Sequence, residues 1–126
     1  MTRRTRTRRP LTVILAVVLA GGLTVAVAPA AEAAKSDCPS NRLCVWDGAS
    51  YTGRMQSIGA TNSYQAINLS TVRSFYNRRS DRTWLHQDLD GGGYKLCLDP
   101  SDANSNVSVT WQRNAEGAYL STTTYC

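Results

Sequence analysis

An all-β fold, a single-domain Greek-key sandwich closed by two disulfides, is what this sequence predicts, and three observations predict it. Short runs rich in Val, Tyr, Trp, Thr and Ile are separated by clusters of Gly, Asn, Asp and Ser. No segment beyond residue 33 keeps a helical apolar period over three turns. A tryptophan-to-glycine pattern occurs twice, as Trp46-Asp47-Gly48-Ala49-Ser50-Tyr51-Thr52-Gly53 and as Trp84-Leu85-His86-Gln87-Asp88-Leu89-Asp90-Gly91. Each copy places a large apolar residue (Tyr51, Leu89) between the Trp and the Gly, and each is followed at a distance by Leu-Ser-Thr, at Leu69-Ser70-Thr71 and Leu120-Ser121-Thr122. Two copies in a short chain indicate an internal repeat. Physically, each copy reads as a strand that folds back in a tight corner, with Gly53 or Gly91 taking the positive φ the corner needs. The two large side chains pack across the fold, and Ser70 or Ser121 hydrogen-bonds back onto the corner.

The strands expected from this pattern are Arg42–Asp47, Arg54–Ile58, Val72–Asn77, Thr83–Gln87, Tyr94–Leu98, Val107–Gln112 and Ala118–Thr124. Ala60–Ile67 reads as a single turn of helix at most. In Val72–Asn77 the alternation puts Val72 and Tyr76 on one face.

The first 33 residues read as a signal peptide rather than as fold. Arg3, Arg4, Arg6, Arg8 and Arg9 form a positive start, Leu11 to Val27 carries no charge, and Ala31-Glu32-Ala33 fits a small-x-small cleavage site. Residues 34–126 then form one exported domain, with no membrane attachment after cleavage. Removing the leader also removes most of the net charge of +5, because residues 34–126 hold nine Lys or Arg and eight Asp or Glu. A near-neutral domain gives no electrostatic case for a nucleic-acid partner. Arg78, Arg79 and Arg82, with Asp81 among them, read as a solvated linker between the two repeats.

A domain this small buries a limited share of its surface, so crosslinks are expected. All four cysteines, Cys38, Cys44, Cys97 and Cys126, lie in the exported part, which implies two disulfides among three possible pairings. The turn-rich loop Pro39-Ser40-Asn41-Arg42-Leu43 favours Cys38–Cys44, leaving Cys97–Cys126.

The chemistry of catalysis is thin. His86 is the only histidine, and within a strand beside Trp84 it reads as structural. Asp88 and Asp90 flank a Gly-Gly-Gly turn and read as solvated. No nucleophile and base stand together in the pattern, so the chain is not expected to be an enzyme. Asp88-Leu89-Asp90-Gly91-Gly92-Gly93 with Asp99 at the twelfth position has the outline of an EF-hand loop. Gly92 replaces a ligand there and Asp99 replaces the bidentate Glu, so no metal is expected, with calcium as the one alternative cofactor.

The tryptophan-to-glycine corner followed by a Ser-containing element resembles the Greek-key motif of βγ-crystallins. Cys38, Cys44 and the opening Cys44-Val45-Trp46-Asp47 narrow the likeness. In these the chain resembles the small secreted actinobacterial proteins of peptidase inhibitor family I36, a group that includes metalloproteinase inhibitors. The resemblance spans about Cys38 to Cys126. It implies a secreted, monomeric, bacterial inhibitor whose partner is an extracellular protease, of the thermolysin-like metalloprotease class. Such proteases favour a bulky apolar residue just after the cut bond. Cys97-Leu98-Asp99 beside a half-cystine, stiffened by Pro100, is therefore the expected inhibitory segment. A non-inhibitory crystallin-like binding module, associated with calcium or a cell surface, and a killer-toxin-like protein are the alternatives on the same fold.

Overall fold

The computed structural model describes residues 34–126; the expected signal peptide lies outside the described residues. Two four-stranded antiparallel sheets face each other. The strands are β1 (Arg42–Trp46), β2 (Met55–Ile58), β3 (Tyr64–Ala66), β4 (Ser74–Arg78), β5 (Thr83–His86), β6 (Lys95–Leu98), β7 (Ala103–Asn104) and β8 (Gly117–Leu120), with one short helix, α1 (Thr110–Arg113). The first sheet runs β2-β1-β4-β7 and the second β3-β8-β5-β6. Each half of the chain thus lends its third strand to the other half's sheet: β3 pairs with β8 and β7 with β4. The expected all-β sandwich with exchanged strands is present.

Alternation builds the core. Leu43 and Val45 of β1 sit opposite Asn77 and Phe75 of β4, and all four point inward. From the second sheet Leu85, Leu98, Ala118 and Leu120 meet them in one apolar cluster, which the loop residues Ile67, Val72, Val107 and Ala115 close. Gln56 ties the sheets at one edge: its side-chain amide donates to the Ala66 carbonyl at 2.7 Å and its oxygen accepts the Asn68 N–H at 2.7 Å.

Five strand expectations match β1, β2, β4, β5 and β6 to within two residues at either end, and β8 begins one residue before its predicted start and ends four short of the predicted end. Two expectations fail. Val107–Gln112 is not a strand; Val107 is buried, Val109 is 43 % exposed, and the chain turns into α1. The place beside β4 is already held by Ala103–Asn104, so Val107 makes one backbone bond there, its N–H donating to the Arg73 carbonyl. Tyr64–Ala66, expected as helical turn, is strand β3. It lies at a sheet edge with both faces largely exposed, so it carries no apolar alternation. Val72 precedes β4 and enters the main core, whereas Tyr76 packs on the opposite side of the sheet; the two do not share a face.

The arginine segment is also not a solvated linker throughout. Arg79 is 4 % exposed. Its guanidinium donates to the carbonyls of Arg82 (3.0 Å) and Ser121 (2.7 Å) and to Thr83 Oγ1 (3.2 Å), with Asp81 at 3.8 Å. Thr83 Oγ1 donates to Asn77 Oδ1 at 3.0 Å. A buried polar chain therefore joins the two halves where the first passes into the second. Arg78 reaches back to the Cys38 carbonyl, and Arg82 donates to the Tyr125 carbonyl at 2.9 Å.

Both expected disulfides are formed, Cys38–Cys44 and Cys97–Cys126. Among the described residues no helix is long and apolar enough to cross a membrane.

Candidate functional site: two corners and two unlike outer faces

The first corner behaves as its sequence suggests. The Asp47 N–H donates to the Arg54 carbonyl and the Gly48 N–H to the Thr52 carbonyl, folding the chain back on itself. Trp46 is fully buried and meets the Tyr51 ring edge-on at 5.2 Å. Gly53 has φ +77°, and a Cβ there would overlap the Asp47 carboxylate. That carboxylate accepts the Arg54 N–H at 2.7 Å and the Arg54 Nε–H at 2.9 Å, which holds its pKa below the ordinary carboxylate value. The tie across the fold comes from a different serine than expected. Ser70 is exposed. Ser74 Oγ instead accepts the Tyr51 N–H at 3.0 Å and donates to the Gly48 carbonyl at 2.8 Å.

The second corner lies two residues later than the sequence echo placed it. Here the Gln87 N–H donates to the Tyr94 carbonyl and the Asp88 N–H to the Gly92 carbonyl. His86 thus stands where Trp46 stands, Gly93 (φ +68°) where Gly53 stands, and Gly117 where Ser74 stands. Trp84 is not the corner aromatic; it lies on the outer face of the second sheet, opposite Tyr119 and Cys97. Leu89 does not pack across the fold but stands 47 % exposed. Gly91, at φ +88°, occupies Tyr51's position, and a Cβ on it would overlap the Tyr64 ring. The missing aromatic is supplied by the exchanged strand β3: Tyr64 meets the His86 ring edge-on at 5.3 Å. Ser121 makes only a local turn, its Oγ bonding to Thr123.

His86 is 5 % exposed, and its Nδ1 has no hydrogen-bond partner. Burial lowers its pKa below the ordinary 6.5; the Gly91 backbone offsets part of this and Lys95 adds to it. A depressed folded-state pKa means that the unfolded chain binds the proton first as pH falls. The stability tied to neutral His86 is complete above pH 6.5 and is lost as pH drops below that value towards the folded-state pKa. Melting temperature should therefore fall between pH 7.5 and 5.5, and His86→Phe should flatten that dependence. An unchanged slope in the variant would remove His86 as the titrating group.

The inhibitory segment expected at Cys97-Leu98-Asp99 is not displayed. Leu98 is 2 % exposed and belongs to the main core. Asp99 is engaged locally: its carboxylate accepts the Cys126 N–H at 2.8 Å and its own N–H donates to Asp102 Oδ2 at 2.8 Å. Strand β6 also separates Asp99 from the turn carboxylates. Asp90 Oδ1 accepts the Gly92 N–H at 3.1 Å, and among the described residues no three His, Cys, Asp or Glu side chains stand close enough to hold a metal ion.

Apart from Tyr125 near the C-terminus, the exposed bulky groups gather instead around the second corner and on the face of its sheet. Leu89 and Tyr94, 47 % and 68 % exposed, project from the corner. Tyr94 lies 6.1 Å from Trp111 of α1, and between corner and helix runs a groove of about 540 Å³. The corner is held rigidly. Gly117 of β8 lies directly beneath it, such that a Cβ there would sit 2.9 Å from the carbonyl oxygens of both Asp88 and Leu89. The Asp88 carbonyl also accepts the Gly91 N–H at 3.2 Å. Strand β6, which leaves the corner, is crosslinked through Cys97 to Cys126. Sequence reasoning missed Ser74, Tyr64, Tyr94 and Trp111 as parts of these sites; in the true register only Gly53 and Gly93 coincide between the two corners, so the sequence carried no signal that would have shifted the second one.

No curated protein and no solved structure matches the chain. The model of peptidase inhibitor family I36 matches residues 31–98, which runs from before the first disulfide to the end of β6. That match covers more than half of the chain, and the protein belongs to peptidase inhibitor family I36.

Proposed function

We propose that this chain is a secreted, monomeric inhibitor of an extracellular thermolysin-like metallopeptidase, and that it binds through the β5–β6 corner with Leu89 in the role the sequence assigned to Leu98. One observation carries this reading: Leu89 is a bulky apolar side chain left half in solvent on a convex, doubly anchored turn. Peptidases of this class take such a side chain just after the scissile bond. The preceding carbonyl, that of Asp88, is turned against Gly117 and already accepts the Gly91 N–H. The corner thus offers the side chain while withholding the bond. A cut there would leave both ends held, one by the β5 ladder and the other by β6 and its disulfide. A turn already fixed in its bound shape binds with little ordering cost. Two disulfides fit the oxidising compartment in which such a peptidase works.

Titration of the purified protein against thermolysin, with subtilisin as the contrast, tests the proposal. Thermolysin activity should fall stoichiometrically. Leu89→Ala should weaken inhibition by about 30-fold, the loss of a roughly 2 kcal/mol contact, with its melting temperature unchanged. Full inhibition by the variant would remove the corner from the contact, and no inhibition of thermolysin by the parent protein would remove the metallopeptidase target.

A further inference from the structure

The two sheets treat their outer faces differently. On the first sheet that face is sealed: Cys38, Cys44 and Trp46 form a closed cluster, covered by Tyr51, Met55 and Tyr76, and Lys35 Nζ lies 4.3 Å above the Tyr76 ring. On the second sheet the corresponding face is only partly covered: Tyr64 is exposed, and Trp84 and Tyr119 are half-buried. Register aligns Tyr64 of β3, Tyr119 of β8 and Trp84 of β5 directly opposite one another, one per strand. The Tyr64 and Tyr119 rings lie 5.1 Å apart, tilted by 50°. Adjacent strands are about 4.8 Å apart, so the row crosses roughly 10 Å of surface. Beside it lies a shallow cleft of about 250 Å³, walled by Tyr64, Trp84, Lys95 and Tyr119 over His86. Two cations attend the row, Lys95 Nζ at 5.2 Å and the Arg82 guanidinium at 5.5 Å from the Trp84 ring. Among the described residues no carboxylate lines the cleft. The core between the sheets is filled by Leu85, Leu98, Ala118 and Leu120 on the inward side of β5, β6 and β8, so Trp84 and Tyr119 are not part of it, while Tyr64 also completes the second corner over His86.

We propose that this face binds an anionic glycan, a polysaccharide carrying uronate carboxylates. Aromatic rings presented in line accept the apolar C–H faces of successive pyranose units, and the tyrosine hydroxyls meet sugar hydroxyls. Lys95 and Arg82 supply the opposite charge for the carboxylates. A protein held on a charged polymer would be concentrated where secreted peptidases act; Tyr64 at one end of the face packs on Gly91 of the same corner, but Leu89 does not line the cleft, and the proposal does not depend on the inhibitor reading.

Affinity electrophoresis through gels containing polygalacturonate, dextran or poly-glutamate tests it. The protein should be retarded by polygalacturonate and by neither of the others. Trp84→Ala and Tyr119→Ala should each weaken the apparent Kd by about tenfold, the scale of a lost aromatic contact, while Trp84→Phe keeps most of it. Lys95→Gln, at an exposed side chain whose contact is with the Trp84 ring, should weaken binding severalfold and serves if an alanine variant does not fold. Leu89→Ala should bind as the parent does. Absence of retardation, equal retardation by dextran or poly-glutamate, or parental binding by Lys95→Gln would overturn the proposal.

Discussion

Trp46→Ala should cost about 4 kcal/mol of folding stability, a large part of what a domain of this size possesses. The indole is wholly buried, yet it is not part of the core between the sheets. It fills a second, smaller core outside the first sheet, between the Cys38–Cys44 disulfide and the rings of Tyr51 and Tyr76. Its neighbour Tyr51 is held at φ +61°, a conformation a bulky residue adopts only when surrounding contacts compel it. Removing the indole leaves a cavity and also removes the packing that holds that strained residue in place. Its Nε1 has no hydrogen-bond partner, so Trp46→Phe forfeits volume but no polar contact and should cost less than half as much. Urea unfolding of the two variants, analysed for midpoint at constant slope, measures both. A loss under 1 kcal/mol for alanine would show that the outer cluster is ornamental to the fold, and equal losses would show that a smaller aromatic cannot stand in for the indole.

Asn77→Ala should cost about 3 kcal/mol, and Asn77→Asp more at neutral pH. Asn77 is fully buried in β4 and points into the sandwich. Its amide nitrogen reaches three carbonyls, those of Asp81 (3.0 Å), Leu98 (3.2 Å) and Asp99 (2.9 Å), while its oxygen accepts from Thr83. Alanine takes the amide donor from these carbonyls, of which that of Asp99 keeps the Asp102 N–H, and the acceptor from the Thr83 hydroxyl, at about 1–3 kcal/mol for each buried polar group left alone. Aspartate keeps the shape but sets a carboxylate against three carbonyl oxygens, a repulsion that protonation would relieve. The aspartate variant should therefore regain stability towards acid relative to the parent protein. Melting curves at pH 7 and pH 4.5 distinguish this ordering from a simple loss of volume.

What could be read from the chain alone follows from where the physics is local. Short runs of β-branched and aromatic residues between Gly, Asn, Asp and Ser clusters marked β1, β4 and β5; alternation was no guide to β1, where Cys44 and Trp46 are buried on the outer face as Leu43 and Val45 are on the inner. The disulfides were legible because exported cysteines pair and a short turn-rich loop joins Cys38 to Cys44. Strand β3 was not legible, because an exposed edge strand of Tyr, Gln and Ala needs no alternation and gains its identity from β8, far along the chain. The second corner was misplaced for the same reason. Its aromatic partner is Tyr64, contributed by the other half, so no local pattern of Trp and Leu could reveal that Gly91 stands where Tyr51 stands. Leu98 was misjudged because nearness to a half-cystine says nothing about which way a strand side chain points; its register opposite Thr83 turns it inward.

The trading of third strands has a bearing on how the molecule comes into being. Tyr64 finds its partner only when Tyr119 has arrived, and Phe75 waits for Asn104 in the same way. Neither half owns a complete sheet, so each depends on the other for the pairing of one strand. Assembly must be a late, all-at-once event governed by contacts distant in sequence, and a nascent chain that has released only its first half carries an unmatched edge in search of a companion.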